Sequence, residues 1–299
     1  MAETTMTIDG VRLCIETFGS PSHPAVLLVA GGAQSMVWWE DEFCARLAGG
    51  GRYVVRYDHR DTGRSIASPA GSPDYTSTDL ATDPLRVLDG LGVDQAHVVG
   101  MSMGGGIAMY LAAEHGDRVR SLVLVESSAA GPGSVENGLP PMAPAVAASF
   151  TDPDPEPDWS DRDAVVDYRV AVERPYAGGL GFDEPRVRRL AALEVDRTTD
   201  MAASLTNHFV IADDGSDHLR LGEITTPTLV LHGTTDPLFP LGHGEALARE
   251  IPGARLVPLE GAGHEIPPPP LWDLTIATML EHTAIRALRS PFTDSRPFG

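Results

Sequence analysis

Ala96-His97-Val98-Val99-Gly100-Met101-Ser102-Met103-Gly104-Gly105-Gly106-Ile107-Ala108 runs from a short apolar segment, through a serine flanked by glycines, into a helical pattern that continues to Glu114. Strand, G-x-S-x-G, helix is the context of a nucleophile elbow, in which the serine sits on a strained strand-to-helix turn. Glycines two residues either side carry no Cβ to clash as the turn closes. The serine oxygen then projects alone. The next backbone N–H, that of Met103, lies at a helix N-terminus, aimed where an oxyanion would form. A serine so placed needs a base to take its proton and a carboxylate to orient that base.

Outward from this turn, strand and helix patterns alternate. Towards the N-terminus, residues 6–18 alternate in polarity around Asp9-Gly10, a hairpin signal at a sheet edge. Ala25-Val26-Leu27-Leu28-Val29-Ala30 and Tyr53-Val54-Val55-Arg56-Tyr57 are continuous apolar runs, as expected of strands buried on both faces of a parallel sheet. A helix is predicted over 41–48, closed by three glycines. Another ends near Leu91-Gly92 and is expected to start at Thr82 or Asp83, which puts Pro84 in its first turn. After the elbow come a strand at 120–125, a strand at 228–231, a helix at 244–250, a strand at 254–259 and a closing helix at 271–280. This alternation predicts an α/β fold, a parallel sheet with helices on both faces. From Ala130 to Gly222 the strand pattern stops. Residues 131–160 are rich in Pro, Gly and acids, and amphipathic segments follow around 164–174, 184–196 and 197–209. The expected organisation is therefore a core of residues 1–129 and 223–299 with a helical cap, 130–222, inserted. Beyond Ser290 a frayed Pro/Arg-rich tail is expected.

Two strand ends supply the partners the serine needs. The strand at 228–231 runs into Gly233-Thr234-Thr235-Asp236-Pro237, and the strand at 254–259 runs into Glu260-Gly261-Ala262-Gly263-His264. Open α/β sheets bind ligands at the C-terminal ends of their strands. The order Ser102, Asp236, His264 is the order of such hydrolases. Glu126, just after the strand at 120–125, competes for the role of acid, and Asp236, better placed before Pro237, is preferred. His59, in Asp58-His59-Arg60-Asp61, has no elbow serine or cysteine and is read as part of a structural loop. His97 and His232 lie on strands and read as core. His115, His208, His218, His243 and His282 show no partner pattern. The second oxyanion donor is expected from the loop after the 25–30 strand, at Gly32 or Ala33.

The net charge of −20 excludes nucleic acid and anionic membrane as partners, since both need clustered Lys and Arg. Cys14 and Cys44 form no C-x-x-C pair, and two free thiols are expected. The N-terminus shows no signal-peptide pattern and no apolar run reaches membrane-spanning length, so a cytoplasmic protein, monomer or homodimer, is expected. No metal or organic cofactor is called for by a serine, a histidine and an aspartate. Walls for a substrate are expected from Trp38, Trp39, Met101, Met103, Tyr168, Tyr176, Phe182 and Phe209, with Trp38, Met101, Tyr168 and Phe209 foremost.

Ala30-Gly31-Gly32, Asp41-Glu42-Phe43, Arg56-Tyr57-Asp58-His59-Arg60-Asp61-Thr62-Gly63-Arg64-Ser65, His97 to Gly104, Asp236-Pro237 and Gly263-His264 together resemble the α/β-hydrolase superfamily. Within it the chain is similar to actinobacterial esterases related to aclacinomycin methylesterase, which remove a methyl ester from anthracycline polyketides. The resemblance implies a mostly parallel eight-stranded sheet, a Ser102-Asp236-His264 triad, oxyanion donors at Gly32 and Met103, and a small-molecule ester as substrate. One departure is Ala30-Gly31, where the wider superfamily has His-Gly. Ser102 excludes the dehalogenases and epoxide hydrolases, which place a nucleophilic Asp there. A lactonase, a C–C bond hydrolase, a cofactor-free perhydrolase, or a proline-iminopeptidase-like enzyme with an acidic pocket at Glu173, Glu184 or Glu194 would use the same three residues.

Overall fold

The computed structural model describes residues 3–129, 138–214 and 220–284. Its elements in chain order are β1 (Thr4–Ile8), β2 (Val11–Phe18), β3 (Ala25–Val29), α1 (Asp41–Gly49), β4 (Tyr53–Tyr57), α2 (Ser77–Gly90), β5 (Ala96–Met101), α3 (Met103–Glu114), β6 (Val119–Val125), α4 (Pro144–Thr151), α5 (Arg162–Glu173), α6 (Glu184–Arg197), α7 (Met201–Thr206), β7 (Thr228–Gly233), α8 (Gly242–Glu250), β8 (Arg255–Leu259) and α9 (Trp272–Thr283). The eight strands form one sheet in the order β1-β2-β4-β3-β5-β6-β7-β8. The hairpin strands β1 and β2 pair antiparallel, and the other six strands run parallel to one another.

Every residue of β3, β4, β5 and β7 is buried, which is why these strands read as continuous apolar runs. Alternate residues serve opposite faces. Leu27, Val98, Leu124 and Val230 pack with Leu80 of α2, Leu111 of α3 and Leu247 of α8. Leu28, Val99, Val125 and Leu231 pack with Phe43 of α1 and Trp272 of α9, and the same cluster takes in Val170 of α5 and Leu190 of α6. Cys14 and Cys44 are both free and buried. No helix among the described residues is long and apolar enough to cross a membrane.

The start of α2 corrects the expectation from Pro84. The helix begins at Ser77, five or more residues earlier, and carries the proline in its interior. A capping box decides this: Thr76 Oγ1 accepts the Asp79 N–H at 3.2 Å, and Asp79 Oδ2 accepts the Thr76 N–H at 3.1 Å. Pro84 removes one helical hydrogen bond, whereas the box satisfies two end groups and Leu80, Ala81, Val87 and Leu88 bury against the sheet.

Between β6 and β7 the described chain forms α4 to α7, and its sheet-like contact is a single bridge, Thr76 to Ala212. Parts of the Pro-rich stretch (130–137) and the tail beyond Ser290 lie outside the described residues.

Candidate active site

Ser102 occupies the turn between β5 and α3 with φ +52°, a left-handed value rare outside glycine. The surroundings hold it there. Ser102 N–H donates to Val125 O at 3.0 Å, and Ser102 O accepts from Gly105 N–H at 2.8 Å and Ser127 Oγ at 3.1 Å. The glycine pattern has a steric cause. A Cβ on Gly100 would collide with the Gly104 carbonyl, and one on Gly104 with the carbonyls of Val29 and Ala30. β5 and α3 can therefore close on the neighbouring strand only if both positions lack a side chain.

The ends of β7 and β8 bring the two distant residues to this turn. Ser102 Oγ lies 2.9 Å from His264 Nε2, and His264 Nδ1 lies 2.8 Å from Asp236 Oδ2. The second oxygen, Asp236 Oδ1, accepts the Leu238 and Phe239 N–H groups, each at 2.8 Å. Burial alone would raise the Asp236 carboxyl. His264, His232 and the Phe239 N–H outweigh it and hold the group below the ordinary carboxylate range. His264 is itself fixed from its backbone, whose N–H donates to Tyr176 O at 2.9 Å, and its ring stands edge-on to Phe239 at 5.3 Å. Asp236 thus orients one ring nitrogen and leaves the other facing Ser102.

Glu126 ends β6 beside Asp236 but reaches a different partner, accepting the Gly233 N–H at 2.8 Å. Burial and the Asp236 charge push its carboxyl well above the usual range, disfavouring its charged form. Glu126, His232 and Asp236 bring ligand-type atoms within 4.8 Å of one another. Asp236 uses both oxygens as above and His232 Nε2 donates to Phe239 O at 2.7 Å, whereas Glu126 Oε1 and His232 Nδ1 have no hydrogen-bond partner. Through Asp236 the cluster supports His264.

Beside Ser102, Met103 is the first residue of α3, so its N–H has no intrahelical acceptor. The loop after β3 passes Gly32 across the same space, with Ala33 at φ +57°. His208, from the turn after α7, accepts the Ala33 N–H on Nδ1 at 3.0 Å and donates from Nε2 to Arg60 O at 2.8 Å. His59 donates from Nε2 to Ala30 O at 3.1 Å. Burial, with the nearby His208, lowers His59 to about 3.

A cavity of about 150 Å³ opens beside His264, lined by Gln34, Trp38, Tyr176, Phe182, Arg186 and Glu265 among others. Trp38 lines it, with its indole N–H donating to Glu194 at 2.9 Å. Phe209 is 63% exposed, and its ring lies 3.6 Å from where a Gly32 Cβ would stand. Two of the expected wall residues stand elsewhere. Met101 is buried in β5 with its sulfur against Gly31, because alternation along the strand turns it into the core. Tyr168 packs edge-on against Trp159 at 5.9 Å and does not line the cavity, because its helix presents Arg169 and Val170 inward instead. Glu173 and Glu194 both pair with Arg169, and the exposed Glu184 pairs with Arg174, so each candidate for an amine-binding acid already holds an arginine.

With this geometry in view, the alpha/beta hydrolase fold family matches residues 24–268. The chain belongs to the α/β-hydrolase family. The hydrolase is 35% identical to rhodomycin D methylesterase DnrP of Streptomyces peucetius over 281 residues, covering 89% of this chain and 93% of that protein. It is 36% identical to rhodomycin D methylesterase DauP of Streptomyces sp. (strain C5) over 279 residues, with the same coverage of each. Among solved structures it is similar to the enol-lactonase of Burkholderia xenovorans LB400, at 26% identity and a TM-score of 0.71 over 94% of this chain and 100% of that one. The fold is also that of esterase RhEst1 from Rhodococcus sp. ECU1013, at a TM-score of 0.73, 24% identity and coverage of 94% and 99%.

Two features of the hydrolase escaped sequence reading. His208 carries no motif, since its partners Ala33 and Arg60 are backbone groups far away in the chain. The buried Arg169–Glu194 pair, 2.8 Å apart, looks in sequence like any charges on amphipathic helices. The one available signal was that each sits on the apolar side of its helix.

Proposed function

We propose that the hydrolase cleaves a carboxylic ester through an acyl-enzyme on Ser102. The observation that carries this reading is the hydrogen-bonded chain Ser102, His264, Asp236, at 2.9 and 2.8 Å, on the ends of three parallel strands. His264 takes the Ser102 proton as Oγ attacks the ester carbonyl, and Asp236 stabilises the imidazolium. The Gly32 and Met103 N–H groups receive the oxyanion. The alcohol leaves with the proton from His264. Water, deprotonated by the same histidine, then releases the acid. Residues 130–222 serve as a cap that walls the site.

The substrate class that the relatives favour is a methyl ester on a bulky polyketide-like acid, since both methylesterases match over most of the chain. A cavity of about 150 Å³ is small against the several hundred Å³ of pockets for drug-sized ligands. It touches the site at His264, and a bulky acid of that kind would extend beyond it. A lactone is the second reading, favoured by the enol-lactonase likeness.

Turnover of short p-nitrophenyl esters, bulky polyketide methyl esters and lactones by the wild type and Ser102→Ala tests this. Methyl esters are expected to give the highest kcat/KM, and Ser102→Ala to lose at least about a thousandfold. Wild-type turnover by Ser102→Ala, or no labelling of Ser102 by a fluorophosphonate, would end the nucleophile assignment.

A further inference from the structure

We propose that His208 is a positioning residue for the oxyanion donor, so that the helical segment before β7 seats the Gly32 N–H. The inference rests on the reading of Gly32 as that donor. The loop Ala30 to Ala33 is gripped at both ends by imidazoles. At one end His59 Nε2 donates to Ala30 O at 3.1 Å. At the other, His208 Nδ1 accepts the Ala33 N–H at 3.0 Å, where the backbone holds φ +57°. Gly32 lies between, and its N–H direction follows from the peptide orientations on either side. A non-glycine residue at positive φ is held by its surroundings rather than by its own preference. His208 holds the Ala33 N–H, while Arg169 Nη2 reaches the Ala33 carbonyl at 3.5 Å and the Gln34 side chain accepts the Gly31 N–H at 3.2 Å.

The hydrogen bonds also determine the state of His208. Nδ1 must be bare to accept from Ala33, and Nε2–H donates to Arg60 O at 2.8 Å, so the ring is neutral. It stands edge-on to His59, with centroids 5.6 Å apart. The other ionisable groups around it are Asp61, whose charge acts on His208 and whose Oδ2 accepts from Tyr75 and Asn207, and Arg60, whose guanidinium turns away to Asp83. Burial, opposed by the Arg60 carbonyl and Asp61, keeps His208 below its ordinary value. Phe209, the next residue, places its ring against Gly32. One short turn therefore both orients the donor and walls it.

The test compares His208→Gln with His208→Phe and His208→Leu, reading kcat and KM separately on a p-nitrophenyl ester, with far-UV CD and melting temperature as controls for folding. Glutamine can accept from Ala33 and donate to Arg60. It is expected to keep kcat within about fivefold, whereas each apolar variant loses about a hundredfold in kcat with KM nearly unchanged, the size of losing one oxyanion donor. A folded apolar variant with wild-type kcat overturns the proposal, as does an equal loss in all three. Failure of both apolar variants to fold overturns it too, because the histidine then belongs to stability alone. The Ser102→Ala control separates the two readings. If it remains active, the assignment of the site has failed. If it is dead while His208→Phe is active, only the role of His208 has.

Discussion

Glu126 and Asp236 follow the ends of adjacent strands with carboxyl oxygens within 4.8 Å of each other, and their surroundings lower the Asp236 carboxyl while raising that of Glu126. Two buried carboxylates at that separation cannot both carry charge cheaply. Asp236 receives His264 and two backbone N–H groups, whereas Glu126 receives one N–H and its Oε1 has no hydrogen-bond partner. The charged form is favoured at Asp236, which has more donors around it. Asp236→Asn is therefore expected to reduce kcat by about 10⁴, as loss of the orienting acid does in comparable triads. Glu126→Gln, which keeps the acceptor for Gly233 and adds no charge, should stay within about tenfold of wild type. Steady-state kinetics on one ester distinguish the two, and the reverse ranking would transfer the acid's role to Glu126.

The elbow glycines make a sharp stability prediction. A methyl group at Gly104 meets two backbone carbonyls, which cannot rotate away as a side chain can. Gly104→Ala is expected to lose about 3 kcal/mol or more, and Gly106→Ala, where nothing lies within 4 Å of the added carbon, less than about 1. Urea unfolding of the pair, monitored by CD, checks the contrast.

Arg169 and Glu194 are both buried, and Glu194 also accepts from Ser35 N–H at 2.8 Å and from the Trp38 indole at 2.9 Å. Removing Arg169 strands the Glu194 charge, and removing the Glu194 charge leaves Arg169 with Glu173 alone. Glu194→Gln should cost about 3 kcal/mol, and Arg169→Met/Glu194→Gln less than the sum of the singles. Denaturant midpoints of the four proteins measure the coupling, and simple additivity would contradict it.

Stability should fall in mild acid. His59 has its folded value lowered from 6.5 to about 3, so the unfolded chain binds its proton first. Its contribution is present above pH 6.5 and is lost as pH falls towards 3, at about 1.4 kcal/mol per pH unit for this residue. His97, lowered to about 4, and His208 and His232 act in the same direction. Glu126 acts oppositely: its raised value favours the fold below its ordinary 4.5, and that contribution is lost as pH rises. Unfolding free energy against pH should slope downwards below about 6.5, and His59→Asn should flatten it. An unchanged slope would show that His59 is protonated in the fold.

Much of the core could be read directly. β4 spans the apolar run 53–57, and β3 and β5 match theirs to within two residues, because a strand buried on both faces needs an unbroken run. Ser102, Asp236 and His264 could be named because each follows a strand end, and in a parallel sheet those ends share one edge. The start of α2 was misplaced because Pro84 is a louder local signal than the Thr76/Asp79 box that outweighs it. Met101 lies in the core and Tyr168 against Trp159, placements that residue type alone does not reveal, since it says nothing about which way a side chain points.

By itself the sequence determined the fold class, the elbow and the order of its partners, since these follow from local periodicity, glycine spacing and strand ends. The sequence already preferred Asp236 to Glu126, and the tertiary structure supplied the physical contrast: Asp236 meets His264, whereas Glu126 meets a lone N–H. Only the tertiary structure brought His208 to Ala33, 175 residues away in the chain. Contacts to distant backbone carry no residue code, so no pattern of side chains could announce them.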